Sequence, residues 1–275
     1  MATGGRAATF VRHWLLAVQF FTRIPVTGEL AQWVGYSPAM LRASAAHFPG
    51  VGWLAGSAAC ASYAAMALFL PATPFTFLAA AFACTICTVW LTGAFHEDGL
   101  ADLADGLGGS HDRLRALEIM KDSRVGAFGA IALVLALGLK AALLAVLGSA
   151  SLPAALAALL AAHVVSRFWP LLLIRTLAYV GDDAGSKSKP LAERITRGAV
   201  ATGAAWCVVP LVLATLVQGP AFVVAGVGAS AAAAWWMRRL LLRRLAGFTG
   251  DALGATQQVG ELAWYLGAAL ALGQA

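Results

Sequence analysis

The sequence predicts an all-α fold, a polytopic bundle of about seven transmembrane helices. Two observations support this fold class. The 275 residues are 60% hydrophobic and only 12% charged, with a mean hydropathy of +0.78, whereas soluble domains average about 45–50% apolar and about 25% charged residues. In addition, several apolar segments approach the roughly 20 residues that a helix needs to cross a bilayer.

Seven apolar segments are the candidates for these helices. The second, residues 75–95, contains no charged residue, and the last is the least clearly defined. Proline and glycine mark the connectors PATP (71–74), GSASLP (148–153) and QGP (218–220), which carry no charge and suit tight turns. The predicted spans are residues 51–70, 75–95, 126–148, 153–180, 199–217, 220–237 and 259–274.

The domain prediction is a single integral membrane domain covering residues 1–275. Residues 1–50 are its cytoplasmic, interfacial segment and residues 51–275 its transmembrane bundle. Within FVRHWLLAVQFFTRIPV (10–26), aromatic and aliphatic residues recur on one helical face, as in helices that lie on a membrane surface. Charges interrupt this stretch, so it does not resemble a secretory signal. No polar segment is long enough to bury a separate core.

Charge is distributed unevenly along the chain. Sixteen of the nineteen Lys and Arg residues, and twelve of the thirteen acids, fall in four long polar segments, residues 1–50, 96–125, 181–198 and 238–258. Seven spans would place all four on one side, which the positive-inside rule makes cytoplasmic. The remaining cations, Lys140, Arg167 and Arg175, lie within predicted spans. There is no basic stripe with interleaved aromatics, so we expect no nucleic-acid partner.

The run HEDGLADLADGLGG (96–109) crowds four carboxylates directly after an uncharged span. If residues 96–107 are helical, Asp98, Asp102 and Asp105 project from one face, where neighbouring like charges oppose helix formation. Carboxylate ligands suit a hard cation, and Mg²⁺ is typically bound together with substrate phosphates. The alternative is a solvated acidic helix start, which the helix dipole would favour.

Two further residues of this run have open roles. Glu97 projects to another side of the helix, as a further metal ligand or as a solvated carboxylate. His96 is either an interfacial histidine or, beside the acids, a proton acceptor. Asp105 is the other candidate for the proton acceptor, and the sequence does not decide between the two.

Other polar positions are candidates for a diphosphate site on the same side. In KDSR (121–124), Lys121 and Arg124 would stabilise charge on a departing phosphate, and Asp122 and Ser123 would contact substrate. The alternative is ordinary anchoring of basic residues at a membrane interface. Arg23 in FTRIPV (21–26) is a further candidate for substrate binding. Asp251 in GFTGDALGA (247–255) would either bind the substrate, as a ribose-binding group, or be a further metal ligand.

These motifs together resemble one family. HEDGLADLADG (96–106) and EIMKDSRVGAFG (118–129) are similar to cobalamin synthase, the adenosylcobinamide-GDP ribazoletransferase family. FFTRIPV (20–26), HFPGVG (47–52) and GFTGDALGA (247–255) match in the family's order. The matches extend over nearly the whole chain.

The resemblance implies an Mg²⁺-dependent enzyme in the cytoplasmic (inner) membrane of a prokaryote, with its active site facing the cytoplasm. The 3′-hydroxyl of α-ribazole, or of its 5′-phosphate, would attack the diphosphate of adenosylcobinamide-GDP and release GMP. Its partners would be the corrinoid nucleotide, α-ribazole and membrane lipid, with self-association into a homo-oligomer left open. Metal binding would fall to Asp98, Asp102 and Asp105, with Glu97 as a further candidate.

Two alternatives belong to other classes. The acidic run loosely resembles the signature of CDP-alcohol phosphotransferases, but no Arg follows its Asp-Gly-x-x-Ala stretch and its later aspartates lie closer together. An ion-coupled transporter would place its coupling residues near the bilayer midplane, whereas here the acids collect in the long polar segments.

Overall fold

The computed structural model describes residues 5–181 and 195–273. Within these ranges the chain is helical, apart from connecting turns and one isolated parallel bridge between Tyr179 and Phe248. The predicted all-α fold is therefore confirmed. The helices are α1 (Arg6–Phe21), α2 (Gly28–Val34), α3 (Pro38–Ser44), a 3₁₀ turn (Ala45–His47), α4 (Phe48–Phe69), α5 (Thr76–Thr92), α6 (Phe95–Gly109), α7 (Arg113–Ile119), α8 (Ala127–Ala150), α9 (Leu152–Ser166), α10 (Trp169–Thr176), α11 (Arg197–Gln218), α12 (Pro220–Arg244) and α13 (Gly250–Leu272).

Helix starts follow the local sequence. Ser37, Thr196 and Thr249 each precede a helix and accept a hydrogen bond from the backbone N–H three residues later. Such caps satisfy donors that have no partner inside the helix. Arg167 and Phe168 separate α9 from α10, so the predicted span 153–180 contains a break.

Five segments of the described chain are long and apolar enough to cross a membrane. They are residues 38–69, 127–150, 152–176, 197–218 and 220–244. α5 and α6 pass the same test only together, and they meet at an angle of 90°. α5 rises about 25 Å by itself and α6 carries the acidic run, so we count α6 outside the membrane-spanning helices.

The helix α13 replaces the predicted final span, residues 259–274. It starts nine residues earlier, at Gly250, and it is not among the segments apolar enough to qualify. The reason is its polar content, which includes Gln257, Gln258 and Glu261, all buried. The prediction of about seven spans thus corresponds to five qualifying segments, the bent pair and one helix enclosed by the others.

Both ends of the bundle are defined by contacts between helices. At one end, Arg244 of α12 donates to the carbonyls of Leu107, in the last turn of α6, and of Ser110, just after it. At the other end, the Tyr63 hydroxyl of α4 donates to the Leu144 carbonyl of α8. The described long polar connections all lie at the first end, called here the polar end. Of the predicted polar segment 181–198, residues 182–194 lie outside the described residues.

Candidate active site

A sharp bend brings the acidic run out of the bundle wall. Gly93 and Ala94 both have left-handed backbone conformations, with φ of 68° and 60°, and they end α5 and start α6. The α6 helix covers Phe95–Gly109, which confirms the predicted helix over 96–107. Its acids therefore share one rigid element.

Close packing of α6 against α13 forms the centre of the site. A Cβ atom on Gly99 would lie 2.7 Å from the backbone oxygen of Asp251, and one on Gly254 would lie 3.3 Å from the Cα of His96. Glycine at position 99 permits this approach, because a Cβ there would overlap the backbone of α13. As a result Asp251, which is remote in sequence, lies beside the carboxylates of α6.

The carboxylates crowd one another as the sequence predicted. The pKa of Asp102 is raised to about 7, chiefly because its side chain is partly buried. The remaining causes are the charges of three neighbouring carboxylates, those of Asp98, Asp251 and Asp105. Mutual repulsion of this kind is relieved by a cation, and a donor set made only of carboxylate oxygens fits a hard divalent ion such as Mg²⁺.

Asp105 has a structural partner of its own. Its two carboxylate oxygens accept hydrogen bonds from the backbone N–H groups of Gly126 and Gly129, at 2.7 and 2.8 Å. These groups lie at the N-terminus of α8, so Asp105 caps that helix from α6. The glycines leave room for the carboxylate, which a Cβ at either position would contact. This contact favours a positioning role over the predicted roles in metal binding and proton transfer, both of which stay predictions.

Glu97 faces away from this group. Its side chain is buried, so the alternative of a solvated carboxylate is wrong, and Oε1 accepts a hydrogen bond from Gln258 at 3.0 Å. Within residues 5–181 and 195–273, no three His, Cys, Asp or Glu side chains converge tightly enough to enclose a metal ion. With Glu97 and Asp105 turned to protein partners, Asp98, Asp102 and Asp251 are the acids best placed for one.

His96 is buried inside the bundle, with 1% of its surface exposed, so the alternative of an interfacial histidine is wrong. Its ring stacks on Phe48 with centroids 5.6 Å apart, and its Nε2 has no hydrogen-bond partner among the described residues. The ring lines an apolar cavity together with Phe95, Leu253 and Gly254. Gly250, the residue before Asp251 in α13, also lines this cavity.

The predicted phosphate-binding residues lie on the loop between α7 and α8. Arg124 is exposed and pairs with Asp122, with Nη2 and Oδ2 2.6 Å apart. Hydrogen bonds from Arg124 lower the pKa of Asp122 to about 2. Lys121 and Ser123 are exposed on the same loop. Asp105 ties this loop to α6, because it bonds to Gly126 just beyond.

The structure places Arg23 at the bend instead of among the aspartates. Its backbone N–H donates to the Leu91 carbonyl, and its side chain covers Gly93, whose Cβ would lie 2.7 Å from Nε. The side chain also borders a groove along α5 that includes Trp90. Its predicted contact with substrate stays a prediction.

A buried charged network lies beneath the site, and the sequence indicated only its cations. Lys140 of α8 and Glu261 of α13 are each 2% exposed in their side chains, and Nζ lies 2.7 Å from Oε1. Tyr265 and Gln257 also donate to Glu261. Arg167 donates to the carbonyl of His163, which itself lies beside Glu261. Lys140 is therefore paired inside the bundle and does not extend to the membrane surface.

Comparisons with known proteins agree with these motifs. Residues 13–269 match the cobalamin-5-phosphate synthase family. A protein from Polaromonas naphthalenivorans is 59% identical over 96% of this chain and 99% of its own length. Proteins from Leptothrix cholodnii (46% identical, covering 93% and 94%) and Vibrio cholerae (41% identical, covering 92% and 91%) are also similar. All three are named adenosylcobinamide-GDP ribazoletransferase.

No solved structure matches the chain significantly. The family match covers most of the sequence and includes the acidic run, the loop before α8 and the start of α13. The chain therefore belongs to the cobalamin-5-phosphate synthase family.

Proposed function

We propose that the protein is an adenosylcobinamide-GDP ribazoletransferase of late cobalamin (vitamin B12) biosynthesis. The observation that supports this most directly is the group of carboxylates on α6 and α13 at the polar end, in a chain of this family. The family assignment favours this activity over CDP-alcohol phosphotransfer and over ion-coupled transport. The substrates would be adenosylcobinamide-GDP and α-ribazole or its 5′-phosphate.

The reaction breaks the phosphoanhydride bond of the diphosphate and forms a phosphodiester bond in its place. The 3′-hydroxyl oxygen of the ribazole attacks the phosphorus attached to the corrinoid, and the bond from that phosphorus to the GMP oxygen breaks. GMP leaves with the electron pair of that bond, and the hydroxyl proton passes to a base on the protein. No net oxidation occurs, and no further co-reactant is needed.

The residues with the clearest task are Asp98, Asp102 and Asp251. We infer that they hold Mg²⁺, which when bound would neutralise diphosphate oxygens. The raised pKa of Asp102 supports this assignment, because a carboxylate that is costly to ionise alone gains most from a cation. Glu97 is excluded from our set, since it bonds to Gln258 on the other side of α6.

The loop before α8 would act on the leaving group. Lys121 and Arg124 are cations on a loop that Asp105 ties to α6, and they would offset charge on the GMP phosphate. The guanidinium of Arg124 is paired with the Asp122 carboxylate, so this ion pair would have to break before Arg124 could bind the phosphate. Of the two candidate bases, His96 has the unpartnered ring nitrogen, while both oxygens of Asp105 already accept hydrogen bonds.

We also propose that the protein lies in the bacterial inner membrane with its polar end in the cytoplasm. Support comes from the concentration of Lys and Arg in polar segments whose described residues lie at that end. Its nucleotide substrates would then reach the carboxylates directly from the cytoplasm.

The test is release of GMP by the purified protein supplied with adenosylcobinamide-GDP, α-ribazole and Mg²⁺. We expect turnover in the wild type and a large loss in Asp102→Asn. Glu29→Gln, at an exposed acid on α2, removes the same charge elsewhere and serves as the control. Wild-type protein that is folded but releases no GMP would refute the function. Full activity of Asp102→Asn at limiting Mg²⁺ would refute only the metal assignment.

A further inference from the structure

A second cavity lies at the polar end between α1, α3 and the start of α11, and its lining includes none of the residues assigned to the transfer reaction. It encloses about 570 Å³. We call it the basic pocket. Its polar lining residues are Arg6, Thr9, His13, Arg42, His47, Thr196 and Thr202.

The lining has the chemistry of a phosphate site. Arg6 and Arg42 are permanently charged, and a guanidinium can donate two parallel hydrogen bonds to phosphate oxygens. Three threonine hydroxyls add further donors. No carboxylate occurs among the described residues that line this cavity.

One donor of the basic pocket is held rigidly. His47 is 3% exposed, and its Nδ1 accepts a hydrogen bond from Trp206 Nε1 at 3.3 Å. In the neutral ring the proton then sits on Nε2, which makes that atom a donor. Phe10 packs edge-on against the same ring, with centroids 4.5 Å apart. The site is thus built on fixed aromatic side chains and does not depend on surface arginines alone.

The position of the basic pocket indicates the source of the phosphate. Thr202 lines the pocket on α11, and Val208 and Val209 follow on the same helix with 55% and 49% of their surface exposed. Seven residues along a helix span about 10 Å, so apolar surface begins about that far below the cations. Phe10 and Val11, exposed by 43% and 40%, continue it on α1. Cations at the polar end would suit the headgroup of a lipid, and the exposed apolar surface next to them would suit its acyl chains.

We propose that the basic pocket binds the phosphate of an anionic phospholipid headgroup. Basic pockets between helices at the cytoplasmic membrane face are typical sites for such headgroups. The acyl chains would lie along the exposed apolar side chains of α11 and α1. This site is separate from the carboxylates and does not depend on the proposed transfer reaction.

The experiment is native mass spectrometry of the full chain released from nanodiscs that contain phosphatidylglycerol and phosphatidylcholine. We expect the wild type to retain phosphatidylglycerol selectively, and the double variant Arg6→Gln with Arg42→Gln to retain about tenfold less. Arg113→Gln with Arg243→Gln, at two exposed arginines of α7 and α12, removes the same charge and should retain it normally. Arg6→Gln alone, at an exposed position, is the fallback if the double variant does not fold.

A soluble phosphate is the competing ligand, and a second arm of the experiment separates the two. Inorganic phosphate or GMP is added to the protein and compared with KCl at equal ionic strength. Displacement of the lipid by phosphate or GMP, but not by KCl, would overturn the lipid assignment. Equal retention of both lipids by the wild type, or equal loss in the two double variants, would overturn it as well.

Discussion

The ion pair between Lys140 and Glu261 offers the most quantitative test of the structure. Both side chains are 2% exposed, and their charged atoms lie 2.7 Å apart. At an effective dielectric constant of about 20, two unit charges at the 2.7 Å of this pair attract by about 6 kcal/mol. Desolvation offsets much of this gain, but removing one partner leaves the other charge buried and alone. We therefore expect Glu261→Gln to cost about 3–5 kcal/mol of unfolding free energy.

A double-mutant cycle isolates the pair from the other bonds of Glu261. Glu261→Gln and Lys140→Met are each expected to be strongly destabilising, and the double variant should lose less than the sum of the two. The reason is that the double variant no longer buries the Lys140 ammonium without its carboxylate partner. The measurement is unfolding by SDS in mixed micelles, followed by circular dichroism.

Glu118→Gln provides the matched control. Glu118 also pairs with a cation, Arg115, at 2.6 Å, but the two side chains are 68% and 60% exposed. Exposed pairs of this kind contribute at most about 1 kcal/mol. The reasoning fails if Glu261→Gln costs no more than Glu118→Gln, or if the double variant loses the full sum of the single losses.

Three further predictions concern the carboxylates. Without divalent cations, the unfolding free energy should fall as the pH rises from 3.8 to about 7, because folding raises the pKa of Asp102 and ionising it then opposes the folded state. Circular dichroism of the wild type and Asp102→Asn checks this, and an equal fall in both would contradict it. Gly99→Ala should reduce GMP release on the order of 100-fold, because the added Cβ would push α6 away from the Asp251 backbone. Gly138→Ala, where the added Cβ meets no other atom, should leave GMP release unchanged. Asp105→Ala should cost about 1 kcal/mol in the same unfolding assay and Asp105→Asn less, since the amide keeps one acceptor; equal costs would argue against capping.

Much of the fold followed from local patterns. The apolar segments predicted α4, α5, α8, α11 and α12 to within a few residues, except that α12 continues to Arg244 instead of ending at 237. That extension carries four arginines. A hydropathy pattern ends the span before them, but the helix itself can continue through them. The predicted start of the final helix was also wrong. Its first turns contain polar residues, which a hydropathy pattern leaves out of a span, although they pack against α6.

The site was only partly accessible from the sequence. The spacing of Asp98, Asp102 and Asp105 correctly predicted carboxylates on one helix face. It did not predict that Asp105 bonds to Gly126 and Gly129, because the pairing depends on how the chain returns 21 to 24 residues later. The glycines of VGAFG (125–129) were the available signal, since they leave space for an incoming side chain.

The buried network and the carboxylates are mechanically connected because they share two helices. On α6, Glu97 and Asp98 are adjacent, so they project about 100° apart: one bonds to Gln258 inside the bundle and the other is exposed at the surface. On α13, Asp251 lies two turns before Gln258, which in turn is followed by Glu261. The bonds that fix these inner residues therefore also fix the separation of the outer acids. The buried charges are costly, but their bonds fix the position of α13 relative to its neighbours, and α6 and α13 carry the surface acids.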